Sequence, residues 1–313
     1  IFARGFGDCK DKATLIVTML SALGIKATPV AVRTANKGTI EPSPASLAPF
    51  DHMIAYVPSL DLYLDGTAEY SGSRELPAMD RGAMALQINE GDAKLVTLPE
   101  PPAAESVSAH RMDATVAPDG SAQIDWQAQI SGVEASAWRA RFHAVATRKE
   151  RIERMMAALL PGSEVSAVEA GDLDDVEQDV SLRVRVRVPQ LARAEGDAFT
   201  LPIGPREHMV RAYATLATRT MPVRMLAQWT ESDDWTVHLP AGEKVRSLPA
   251  ATSGSSPFGS YAVKTANLGG AIRVRTTVTL VKTRISPSEY PAFRAWCEEV
   301  DRALGQRATV TSK

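Results

Sequence analysis

The sequence predicts an α+β chain: one helix with antiparallel strands comes first, and a β-rich module carrying helices follows. Three observations predict it. An apolar helical stretch, Ala13 to Leu23, leads directly into alternating β-branched segments. The Pro-rich run "LPEPPAAES" (98–106) has the composition of a linker. Beyond it, strand-like alternation recurs between turn signals. The expected organisation is therefore a first domain over 1–98, a linker over 99–106 and a β-rich domain over 107–313.

In the first domain Asp8 is placed to cap a helix, accepting from a free N–H of the first turn, with Asp11 as the matching acid three residues on. Cys9 then falls at the first helical position. Ala13, Leu15, Ile16, Val17, Met19, Leu20 and Leu23 make the helix apolar enough to expect a buried one, and Gly24 supplies the stop. "IKATPVAVRT" (25–34) reads as a strand and "ANKGTIEPSPASLAP" (35–49) as a loop. "FDHMIAYVP" (50–58) alternates, with His52, Ile54 and Tyr56 on one face. "DLYLDGT" (61–67) reads as its hairpin partner, with Asp65 near the end.

In the second domain "APDGS" (117–121) is a turn between strands, the later one turning Ile124, Trp126, Ala128 and Ile130 inward. Residues 134–160 read as helix, with Trp138, Phe142, Val145, Ile152, Met155 and Leu159 as its stripe and Pro161-Gly162 as its stop. Strands are expected at 179–189, at 223–230 paired with 234–239, and at 270–284. A last helix over 287–304 carries Tyr290, Phe293, Trp296, Cys297, Val300 and Leu304 on its apolar side. The module reads as β-sandwich-like with helices.

Composition narrows the function. Charged residues are 23% of the chain, hydrophobic residues 44%, and the formal net charge is −2, so nothing electrostatic favours nucleic acid or an anionic membrane. No apolar run is long enough to span a bilayer. Two cysteines exclude a disulfide framework and leave the compartment open, periplasmic or secreted included.

Cys9, His52 and Asp65 are the candidate catalytic residues. A helix N-terminus favours a thiolate beside it, an imidazole can hold and pass the proton, and a carboxylate can fix the imidazole tautomer. A hairpin of 50–58 with 61–67 can bring His52 and Asp65 within hydrogen-bonding reach. "GFGDCKDKATLIVTMLSALGIKATPV", "FDHMIAYV" and "YLDGT" together resemble the papain-like core of the transglutaminase-like superfamily: a G-x-C before an alanine-bearing helix, an aromatic-x-His strand start, and an Asp at a following strand end. The resemblance covers about residues 3–70 and implies Cys9 as nucleophile, His52 as general base and acid, and Asp65 as orienting carboxylate. It implies an enzyme acting on amide or peptide bonds through a thioester, resolved by water or by an amine, with a protein or peptide as substrate. It implies no cofactor and no metal. Family members carry further residues before the G-x-C, including a donor to the oxyanion. The expectation is thus a core truncated at its N-terminal side, where the upstream region or another copy of the chain would pack.

The remaining features have plainer readings. Cys297 reads as core. His110, His143, His208 and His238 lack the spacing of metal ligands. "GDLDDVEQD" (171–179) lacks the spacing of a calcium loop. "GGA" (269–271) is a turn. "SLRVRVRVP" (181–189) and "IRVRTTVTLVKTR" (272–284) alternate arginine with aliphatics, as solvated strand faces do; as neighbours the two would form an arginine ladder able to grip an acidic partner. The alternative to an enzyme is a binding or assembly module that uses the β-rich domain.

Overall fold

The computed structural model describes residues 1, 3–41, 44–89, 91–203 and 209–311; His208 and two residues of the 35–49 loop lie outside these. The fold is α+β, and the chain divides into two compact units. The first comprises Ile1–Pro101 with the short segments Ala135–Ala137 and Asp175–Gln178; the second comprises the rest.

In the first unit α1 spans Cys9–Ala22. Asp8 caps it by accepting from the Asp11 backbone N–H, while the Asp11 carboxylate accepts from the Asp8 N–H, a reciprocal capping box. Gly7 makes room for this: a Cβ there would lie 2.6 Å from the Asp11 Cβ. Five strands follow, β1 (Thr28–Arg33), β2 (His52–Val57), β3 (Leu62–Leu64), β4 (Met84–Asn89) and β5 (Asp92–Thr97). They form one antiparallel sheet in the order β3-β2-β1-β4-β5. Val30, Val32, Ile54, Ala85 and Leu98 centre its core.

α1 is not the buried helix its composition suggests. Only Ala13 is fully buried, and Met19 and Leu23 are exposed. The helix meets β2 and β1 along one face, so Leu15, Ile16, Val17 and Leu20 are only partly covered.

The second unit contains β6 (Val107–Val116), β7 (Ala122–Ile130), α2 (Val133–Phe142), α3 (Val145–Leu159), β8 (Glu164–Ala170) and β9 (Val180–Val188). β10 (Arg193–Glu195), β11 (Ala198–Pro202), α4 (Met209–Tyr213), β12 (Val223–Arg224), β13 (Trp229–His238) and β14 (Lys244–Ser247) come next. β15 (Thr252–Ser256), β16 (Gly259–Asn267), β17 (Ala271–Leu280), β18 (Arg284–Ile285), α5 (Tyr290–Leu304) and β19 (Arg307–Thr311) complete it. The main sheet runs β15-β16-β17-β13-β6-β7-β9-β8, a second runs β10-β11-β19-β14, and β12 pairs with β18.

Four local expectations change. The 134–160 helix breaks at His143–Ala144. Arg148 and Arg151 of α3 donate to the carbonyls of Phe142, His143 and Arg141, supplying the bonds a continuous helix would have made, and Val145 is left 77% exposed. The buried methionine of α3 is Met156, with Met155 only partly covered. Residues 223–239 are not a hairpin: Trp229–His238 is one strand, antiparallel to β17 and parallel to β6, and Val223–Arg224 pairs with Arg284–Ile285. Its polar residues are accommodated because Asp233 accepts from Thr276 and faces His110. Finally, β9 and β17 are separated by β13, β6 and β7, so their arginines form no common ladder. Arg183, Arg185 and Arg187 pair instead with Glu169, Asp125 and Glu164, and Arg273 with Asp234.

Cys297 sits in the apolar face of α5 at 0% exposure, and burial pushes its thiol up to about 12. Both cysteines are free. No helix among the described residues is long and apolar enough to cross a membrane.

Candidate active site

His52 opens β2 beside β1, where it pairs with Val32. Asp51 fixes this strand start: its carboxylate accepts from the backbone N–H and the hydroxyl of Thr34, and its N–H donates to the Val32 carbonyl. The β2–β3 register ends at Ala55 opposite Leu64, so Asp65 leaves β3 on the side of His52. Thr67 holds the Asp65 carboxylate by donating to Oδ1 from both its N–H and its hydroxyl. Asp65 Oδ2 lies 3.1 Å from His52 Nε2; the His52 side chain is 7% exposed and that of Asp65 0%.

α1 brings in the third group. Gly66, directly after Asp65, lets the helix approach: a Cβ there would stand 3.0 Å from Ile16 Cδ1 and 3.1 Å from Lys12 Cβ. Cys9 stands partly exposed at the first position of α1, and it is among the groups that raise the His52 imidazole.

A fourth group is present that sequence reasoning did not name. Asp80 lies in the turn between β3 and β4, is 0% exposed, and places Oδ2 3.9 Å from His52 Nε2. Its backbone N–H donates to the Pro77 carbonyl and its own carbonyl accepts from Ala83, which locks the turn. Nothing in the spacing "AMDRGA" marks it, because the turn reaches the imidazole only through the sheet.

The electrostatics follow from burial and charge. Burial disfavours the His52 imidazolium, but the hydrogen bond and charge of Asp65, with Asp80 and Cys9 adding to them, raise it from 6.5 to about 9. Burial also works against the Asp65 charge, yet the bonds from His52 and Thr67 hold that carboxyl below its ordinary value. Asp80 receives no such bonds. Burial first, and then the Asp65 charge, push it up to about 7 against the pull of His52. A thiol beside an imidazole kept cationic by a carboxylate can exist as a thiolate–imidazolium pair.

The ligand atoms of His52, Asp65 and Asp80 lie within 4.8 Å of one another. A second cluster, His110 with Asp233 at 3.3 Å and Glu231 at 3.8 Å, lies in the second unit. It lines a cavity of about 580 Å³ walled by Trp126, Trp138 and Trp235.

Residues 200–310, about a third of the chain, match the model of a domain of unknown function with solved structure, DUF3858. No curated protein matches the chain. Among solved structures the chain is similar to a crystal structure from Parabacteroides distasonis ATCC 8503 described as a "putative protease", at 15% identity and a TM-score of 0.50. The likeness covers 96% of this chain and 43% of that one, so the chain spans less than half the length of its structural relative. At that identity the similarity is one of fold.

Proposed function

We propose that this chain is a cysteine hydrolase or acyltransferase of the transglutaminase-like type, with Cys9 as nucleophile, His52 as general base and acid, and Asp65 as the carboxylate that orients the imidazole. The observation that carries the reading is the setting of His52, which has Asp65 at 3.1 Å from Nε2 and opens the strand against which α1 packs, with Cys9 at the first position of that helix. The description of the structural relative as a protease supports the same class of reaction.

In this reading the Cys9 thiolate attacks the carbonyl carbon of an amide. The tetrahedral oxyanion forms beside the N-terminus of α1, where the Cys9 backbone N–H serves as one donor. His52 passes its proton to the departing nitrogen, the C–N bond breaks, and a thioester remains. Water or an amine then attacks the thioester, losing its proton to His52, and the thiolate departs to regenerate the pair. The products are an acid, or a new amide, together with the released amine.

The test uses the chain itself. Iodoacetamide at neutral pH, read by mass spectrometry, should label Cys9 well ahead of Cys297, and His52→Ala should slow that labelling markedly. Incubation with a casein digest and a fluorescent primary amine separates transfer from hydrolysis, and Cys9→Ala abolishes either. Labelling of Cys9 no faster than that of a denatured thiol, unchanged by His52→Ala, would refute the proposal and favour a binding module.

A further inference from the structure

Asp80 is a buried carboxyl with no donor. Neither of its oxygens has a hydrogen-bond partner among the N–H and O–H groups of the described residues. The groups that act on it are Asp65 after β3, His52 from β2 and Asp51 just before β2. The neighbouring Arg81 donates from Nε to the Leu76 carbonyl. Asp65 accepts from Thr67 on Oδ1 and faces His52 on Oδ2, and a carboxylate so held can still accept one further donor. Two carboxylates thus face one imidazole in a dry pocket. If both were ionised, their contact would be purely repulsive and Asp80 would be a bare buried charge. The ligand oxygens of the two carboxylates lie within 4.8 Å of each other, near enough that one shared proton would replace the repulsion with a charge-assisted hydrogen bond.

We propose that Asp80 is held as a neutral carboxylic acid that donates its proton to Asp65, and that it acts through Asp65 as a positioning residue setting the charge that His52 faces. This rests on the reading of Cys9, His52 and Asp65 as the catalytic set. With Asp80 protonated, the imidazolium faces a single negative charge and can release its proton to a leaving amine. When Asp80 ionises, at about 7, the imidazolium faces two carboxylates and holds its proton more tightly. The charge that His52 presents to the thiol therefore changes near neutrality.

Two measurements on the whole chain test this. The first is a carboxyl ¹³C NMR titration of aspartate-labelled protein, in which one carboxyl should titrate near neutrality and be missing from the spectrum of Asp80→Asn. The second is the pH profile of Cys9 alkylation, which should show an inflection near neutrality in the wild type that is lost in Asp80→Asn. Asparagine is a neutral isostere able to donate to Asp65, so a purely structural role would leave the profile unmoved. Aspartate carboxyls that all titrate in the ordinary acid range would overturn the shared proton. An inflection that persists in Asp80→Asn would overturn the positioning role. A near-neutral carboxyl without rapid Cys9 labelling would overturn the catalytic reading and, with it, the positioning role, while leaving the shared proton standing.

Discussion

Replacing Asp65 with Asn keeps the shape of the side chain and removes the charge 3.1 Å from His52 Nε2. In the native chain that carboxylate overcomes burial and lifts the imidazole from 6.5 to about 9, which corresponds to roughly 3 kcal/mol in favour of the imidazolium. Asn leaves the burial, the largest single influence, in place and removes the Asp65 bond and charge that chiefly oppose it, so His52 should titrate at or below its ordinary value. At about pH 7.5 the imidazolium fraction would fall from more than nine-tenths to about a tenth. The histidine ring NMR titration reads this directly, with His52 assigned by the resonance that disappears in His52→Ala. Stability should follow. A histidine raised on folding contributes stability that is fully present below 6.5 and is lost as pH rises through about 9. Asp65→Asn should therefore cost on the order of 3 kcal/mol by urea unfolding near pH 6, with the deficit shrinking as pH rises from about 6.5 and nearly gone above about 9. A His52 that still titrates near 9 in the variant, or a deficit independent of pH, would show that the Asp65 charge does not govern the imidazole.

Asp8→Ala removes the acceptor for the Asp11 N–H and should cost about 1 kcal/mol in thermal or urea unfolding, with slower Cys9 alkylation as the helix start frays. Gly66→Val should push the first turns of α1 off the loop that follows Asp65, costing roughly 1–3 kcal/mol and slowing Cys9 alkylation more than unfolding alone explains. Gly132→Ala combines a φ of 65° with a Cβ 2.1 Å from the Glu105 carbonyl oxygen, so a loss above ~2 kcal/mol in urea unfolding is expected. Cys297→Ala should leave the Cys9 labelling rate unchanged, because Cys297 is fully buried in α5 with its thiol raised to about 12, and mass spectrometry of both peptides checks it.

The local pattern of the sequence determined the elements whose cause is local. Asp8 and Asp11 set where α1 begins, and so put Cys9 at its first turn. The short 58–61 turn sets the β2–β3 register, and so brings Asp65 to His52. Alternation of arginine with valine in β9 marks which face is solvated. Tertiary structure decided whatever depends on a partner distant in sequence. The polar stretch Glu231–Asp233 looks like a turn until β6 and β17 flank it and supply His110 and Thr276 to its carboxylate. The arginines of β9 and β17 look like neighbours until three strands stand between them. α1 carries enough apolar residues for burial on all sides, but only the face against β2 and β1 is covered. Asp80 is the sharpest case. A lone aspartate in a turn carries no signal of its own, and its place beside His52 exists only because β1 lies between β2 and β4 and carries the turn before β4 back to the imidazole. Side-chain periodicity states which face of an element is apolar; which element meets that face is a non-local free-energy choice, made only when the sheet closes.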